Sequence, residues 1–165
     1  MLIVSIGCAV EIRRDVHSLV EQGDADAQRN LGYMYYRGQG VPQSYEQAVY
    51  WYRKAANQGL ALAQNNLAFM YRNGLGITQD LEQAVYWDRL AVEQGLLESQ
   101  FNLGGAYYFG HGVPQNYEQA AYWFRLAAER GFAMARSNLA VMYYYGLGVP
   151  RNLEQAEYWY RLSRE

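Results

Sequence analysis

The chain has 165 residues, 51% of them hydrophobic and 18% charged, with a formal net charge of -2. Such a length gives one ordinary domain with a sizeable core, and the acidic balance supplies no basic stripe for nucleic acid. One cysteine, Cys8, excludes an internal disulfide, and no apolar run reaches the roughly 18 residues that cross a bilayer.

The opening MLIVSIGCAV is apolar and places Cys8 where a lipoprotein signal would be sought. No basic residue precedes it, Ser5 stands where a large aliphatic residue is wanted, and the run is short for a signal core. The expectation is an apolar arm packed on the first helix. Compartment stays open, with the lone cysteine favouring the cytoplasm over the periplasm or secretion. Residues 10–23 align in register with second helices found further along, in degraded form. Ile12, Asp15 and Leu19 replace an alanine, a tryptophan and a later alanine, which describes an N-terminal half-repeat with a polar outer side.

From residue 24 the chain repeats every 36 residues without insertion or deletion, giving units 24–59, 60–95, 96–131 and 132–165. Each unit predicts two helices. The first spans about 25–37 in the opening copy, with Ala27, Leu31, Met34 and Tyr35 on one face. Gly38, Gly40 and Pro42 then stop it. The second starts at the N-cap Ser44 with Gln47 three residues on, a capping box that recurs as Asp80 with Gln83, Asn116 with Gln119 and Asn152 with Gln155. It ends at Gly59, Gly95 and Gly131. Ala48, Trp51, Ala55 and their equivalents predict an inner face on which alanine lets helices approach and the indole fills the space between layers. Tyr35, Tyr71, Tyr107 and Tyr143 recur in every copy, as do Tyr50, Tyr86, Tyr122 and Tyr158; recurrence marks them as structural. The last helix runs to Glu165 without a dedicated cap. Its flank of Ala156, Trp159 and Leu162 is therefore expected to be partly open to self-association or a partner.

The unit AQRNLGYMYYRGQGV leading into YEQAVYWYRKAANQG resembles the Sel-one-like repeat (SLR), a relative of the tetratricopeptide repeat, over residues 24–165. A tetratricopeptide unit has about 34 residues, and the Gly-x-Gly turn belongs to the SLR pattern. The resemblance implies an all-α fold, a right-handed α–α superhelix (solenoid) of four helix-turn-helix repeats preceded by the half-repeat. It implies a concave inner face lined by the first helices. It also implies an adaptor or scaffold for protein–protein interaction, in a family with many bacterial members. Some secreted members carry paired cysteines in each repeat, and this chain has none.

Positions that change between copies are where binding can be specified. Four first-helix offsets vary: Arg29, Asn65, Phe101, Ser137; Tyr33, Phe69, Gly105, Val141; Tyr36, Arg72, Tyr108, Tyr144; and Arg37, Asn73, Phe109, Tyr145. Spacings of four, seven and eight residues set them along one side of the helix. The candidate partner-binding residues are Arg29, Tyr33, Tyr36, Arg37, Arg72 and Asn73 in the first half, and Phe101, Tyr108, Phe109, Tyr144 and Tyr145 in the second. Tyrosine and arginine are frequent interface anchors, so a protein or peptide partner is expected, with a carbohydrate as the alternative ligand of exposed rings.

Nothing points to chemistry. His17 and His111 are isolated, and His111 occupies a solvent-facing turn. No His, Cys or carboxylate group has metal-ligand spacing, so no cofactor or metal is expected, and Cys8 has no nucleophile signature. Glu46, Glu82, Glu118 and Glu154 meet the positive ends of second-helix dipoles. The Gly-x-Gly turn is no phosphate loop, because it leaves a helix rather than a strand and has no Lys-Ser/Thr after it. The sequence describes a non-enzyme.

Overall fold

A computed structural model describes residues 18–165. Residues 18–21 are helical, and eight further helices follow. They are α1 (Ala25–Arg37), α2 (Tyr45–Asn57), α3 (Ala61–Asn73), α4 (Leu81–Glu93), α5 (Leu97–Phe109), α6 (Tyr117–Glu129), α7 (Ala133–Tyr145) and α8 (Leu153–Leu162). The fold class is all-α, in paired helices. The apolar arm 1–10, with Cys8, and Ile12, Asp15 and His17 of the half-repeat lie outside the described residues. The helices divide into two compact units, the first ending at Gln79 and the second running Asp80–Glu165.

Local chemistry sets the helix ends. Ser44 Oγ accepts from the backbone N–H of Gln47 at 3.2 Å, and Asp80, Asn116 and Asn152 accept likewise at 2.9, 3.0 and 3.0 Å. The other arm of the expected capping box is replaced. The N–H of Ser44 donates to Tyr35 O at 3.0 Å, and those of Asn116 and Asn152 donate to Tyr107 O and Tyr143 O at 2.9 Å. In these three copies a carbonyl orphaned at the end of the first helix thus takes the donor that the glutamine side chain would have taken, and the hairpin is pinned at its own turn. A further clasp recurs. Gln43, Gln79 and Gln115 each donate Nε2 to the carbonyl seven residues back, at 2.8–2.9 Å, and Arg151 does the same in the last copy at 3.1 Å.

The two glycines of each turn have different tasks. Gly38, Gly74, Gly110 and Gly146 end first helices in the left-handed conformation. The second glycine belongs to the stacking of repeats: a Cβ on Gly76 would overlap the Tyr45 carbonyl, one on Gly112 that of Leu81, and one on Gly148 that of Tyr117. At these three turns the loop therefore reverses the chain and also sets its second glycine against the start of the preceding second helix.

In the first unit, Val20, Ala27 and Leu31 form one cluster, with Met34, Tyr35 and Trp51 against it. Leu19, expected at an inward alanine position, is 44% exposed, while Val20 is buried. Val20 matches Ala56 and Ala128, which are buried as well, whereas Leu19 leaves the buried position that Ala55 and Ala127 occupy. Tyr52 is buried on α2, and Ala63, Leu67 and Met70 are buried on α3. Arg53 Nη2 donates to Tyr71 OH at 3.1 Å, tying a second helix to the next first helix.

The second unit repeats that tie twice, from Arg89 to Tyr107 and from Arg125 to Tyr143, both at 2.9 Å. Its core gathers Ala120, Phe124, Ala127, Ala135, Leu139 and Met142. Asp88 is buried and accepts from Asn102 Nδ2 at 3.1 Å.

One expectation about packing changes. Trp51, Trp87, Trp123 and Trp159 are only half-buried, edge-on to Tyr50, Tyr86, Tyr122 and Tyr158 at 4.9–5.2 Å. The fully buried ring is one residue later, at Tyr52 and Phe124. One residue is a rotation of about 100°, enough to turn a side chain from the rim into the next helix. Space for it comes from Gly32 and Gly104, where an added Cβ would stand 2.7 Å from the Tyr52 ring and 2.5 Å from that of Phe124. On α8, Ala156 is buried, while Trp159, which packs on the unit core, and Leu162 are half-buried, so the flank is only partly covered. The exposed rings and aliphatics are Leu153, Tyr158 and Tyr160. The helix end is not bare, because Arg136 Nη1 donates to Leu162 O at 2.7 Å.

Candidate partner-binding surfaces

In the first unit, α1 carries Arg29, Tyr33, Tyr36 and Arg37 down one side, four, seven and eight residues along. Tyr36 is the hub. Its ring lies 6.5 Å from Tyr33, 5.7 Å from Tyr45 and 5.9 Å edge-on from Phe69. Tyr33, Tyr36, Tyr52, Asn66, Phe69 and Met70 line a pocket of about 190 Å³. A second depression of about 250 Å³ shares Tyr36 and takes in Arg37, Gln39, Gln43 and Tyr45. Arg29 Nε is buried without a hydrogen-bond partner. Burial pushes the Tyr52 hydroxyl well above the ordinary tyrosine range, an effect that the positive charge of Arg29 opposes. Arg72 is half-buried near the end of α3. Asn73 Nδ2 donates to Phe69 O at 2.8 Å, which commits that amide to its own helix.

In the second unit, the Phe101 ring meets those of Phe124 at 5.6 Å and Phe132 at 5.0 Å, tilted by 45° to each, at the edge of the core rather than out in solvent. Tyr108 packs on Tyr117 at 5.3 Å and meets Phe109 at 4.9 Å; Phe109 is 63% exposed and stacks on His111. Tyr144 and Tyr145, edge to face at 4.9 Å, open onto a groove of about 500 Å³. Val141, Tyr144 and Tyr145 of α7 form one wall, and Leu153, Ala156 and Tyr160 of α8 form the other. Glu157 is the sole charged side chain lining it. Ala140 and Ala156 lie between these two walls.

The second-helix residues of these surfaces, Tyr52, Leu153 and Tyr160, and Asn66 of α3 were missed by sequence reasoning. A signal was present for the first. Position 52 reads Tyr, Asp, Phe and Tyr in successive copies, variation of the kind that singled out the first-helix positions. Asn66 recurs as Asn30, Asn102 and Asn138 and so gave no signal. Among the described residues no three His, Cys, Asp or Glu side chains are grouped to hold a metal ion. No helix among them is long and apolar enough to cross a membrane.

The Sel1 repeat family profile matches residues 25–60, 61–96, 97–132 and 133–165, and the chain belongs to that family. Each frame starts one residue later than the repeat read from the sequence. A protective antigen of uropathogenic Escherichia coli displaying an SLR fold is 45% identical, with a TM-score of 0.89 over 90% of this chain and 32% of that one. A Sel1 repeat protein from Oxalobacter formigenes is 34% identical, with a TM-score of 0.86 over 90% of this chain and 61% of that one. The match therefore spans less than two thirds of either relative. Cysteine rich protein B of Helicobacter pylori, 22% identical with a TM-score of 0.56 over 75% of this chain and 94% of that one, shares the fold. No curated protein gives a significant match. Sel1 repeats build helical solenoids, and proteins made of them are generally non-enzymatic scaffolds for protein interaction.

Proposed function

We propose that this chain is a non-catalytic scaffold that holds a peptide segment of a partner protein against the copy-variable side of its first helices, the concave aromatic face of the sequence reading. The observation that supports it is the α7–α8 groove, where Val141, Tyr144 and Tyr145 meet Leu153 and Tyr160 around about 500 Å³ of open, apolar space. Tyr144 and Tyr145 are 50% and 66% exposed, so they contribute little to the core and are available to a ligand. Rigid, amphipathic rings at the mouth of an apolar groove give large contact area at low entropy cost, the property that makes tyrosine a frequent interface anchor. Apolar anchors on the peptide would fill the groove.

A displayed random-peptide library selected on the full chain tests this. Selected peptides should share apolar anchors and lose on the order of tenfold or more in affinity on a Tyr144→Ala, Tyr145→Ala variant that melts like wild type. Peptides that bind both proteins equally would remove the groove as the seat.

A further inference from the structure

We infer that the pocket of the first unit recognises an acidic side chain of the bound peptide: the carboxylate enters between Tyr33, Tyr36 and Phe69 and is received by Arg29, the Tyr52 hydroxyl and the Asn66 amide. This rests on the peptide-scaffold reading above and supplies the chemistry of one of its subsites.

The donor set is one-sided. The pocket lining holds the Tyr52 and Tyr36 hydroxyls and the Asn66 amide, and no acid. Arg29 stands one turn before Tyr33 on α1, on the same side, close enough for its charge to be felt at the Tyr52 hydroxyl. Arg29 Nε is the one buried donor here without a partner, while Tyr52 and Asn66 line the pocket itself and make no side-chain hydrogen bond to a described residue. Buried donors are nearly always paired in a folded protein. A carboxylate, which only accepts and can take several donors at once, is the group that satisfies this set. A volume of about 190 Å³ suits one side chain rather than a larger ligand.

The chain itself shows what an asparagine at this repeat position can do. One repeat on, Asn102 Nδ2 donates to a carboxylate, Asp88 Oδ1, at 3.1 Å. Asp88 is the repeat equivalent of Tyr52, so the second copy supplies its own acid and the first does not. In the third copy the equivalents of Arg29 and Tyr52 are Phe101 and Phe124, which meet at 5.6 Å and offer no donor. The donors are therefore particular to the first copy, and the fold does not require them. Arg37, in the adjoining depression, extends the preference for negative charge past Tyr36.

The test is a titration of the ¹⁵N-labelled full chain with N-acetyl-glutamate α-amide, which presents one side-chain carboxylate. N-acetyl-glutamine α-amide serves as the neutral isostere and N-acetyl-alanine as a terminal carboxylate. The glutamate probe should shift the Asn66 side-chain NH₂ and the Arg29 Nε–H saturably, and the glutamine probe should not. Arg29→Gln and Tyr52→Phe should each weaken the response about tenfold while the rest of the amide spectrum stays in place. An equal response to the glutamine probe, or an unchanged one in Arg29→Gln, would overturn the inference. A stronger response to N-acetyl-alanine would overturn the side-chain assignment. Peptide selection on the α7–α8 groove reads a different unit, so its success beside a failed titration would sink this inference alone.

Discussion

The first and third repeats are built to one plan, and among the positions where they differ one pair is coupled. Both leave a slot with a glycine, Gly32 or Gly104, and fill it with a ring from the second helix, Tyr52 or Phe124. Both pack a first-helix tyrosine on the first residue of the second helix, Tyr36 on Tyr45 at 5.7 Å and Tyr108 on Tyr117 at 5.3 Å. Both clasp that tyrosine's carbonyl with a glutamine, at 2.9 and 2.8 Å. Where the third repeat places Phe101 against Phe124, the first places Arg29 near Tyr52. A hydroxyl and a guanidinium enter together, and two phenyl rings enter together. Repeat geometry thus fixes where the ring goes, while the pair of side chains decides whether its surroundings are polar or dry.

Truncating the two slot rings gives the largest expected effect. Tyr52→Ala and Phe124→Ala should each cost on the order of 3–5 kcal/mol in a denaturant titration, since both empty a fully buried site. Losses that differ by more than about 2 kcal/mol would break the claim of a shared plan.

Exchanging the hydroxyl sharpens the contrast. Phe124→Tyr carries a hydroxyl in among the rings of Phe101 and Phe132 and should cost about 1–3 kcal/mol. Tyr52→Phe, which removes a hydroxyl that bonds no described residue, should cost well under 1 kcal/mol. Filling the slot from the other side is the next test. Gly32→Ala and Gly104→Ala overpack the ring and should cost about 1–3 kcal/mol. Gly105→Ala, a helical position with nothing within 4 Å of the added Cβ, should instead stabilise by about 0.5–1 kcal/mol.

The smallest effect is on pH dependence. Tyr52 is held protonated in the fold by burial, above the ordinary value of 10.0 that applies once the chain unfolds. Its contribution is intact below pH 10.0. Above it the unfolded chain binds fewer protons than the folded one, so stability declines with rising pH. Tyr52→Phe should make the alkaline decline in melting temperature shallower.

Much of the fold was legible in the sequence. Helix α1 spans 25–37 as its periodicity predicts, and the four side-chain N-caps accept where the chemistry of Ser, Asp and Asn places them. The site was legible only in part. Copy-to-copy variation picked out Tyr33, Tyr36, Tyr144 and Tyr145, which border cavities, but equally Phe101, which borders the core, and it passed over Asn66. Variation along a helix records which positions are not needed by the repeat, and a core edge and a ligand wall satisfy that condition alike.

The sequence by itself determined the repeat period, the helix boundaries and the turn glycines, because capping, φ sign and apolar spacing act within a few residues of one another. It could not say which neighbour covers each face. That the buried ring is Tyr52 or Phe124 rather than the tryptophan beside it, and that the second glycine of three turns lies against the start of the preceding second helix, was decided by helices about half a repeat or more away in the chain. Burial is set by the partner surface, and only the packed structure contains that surface.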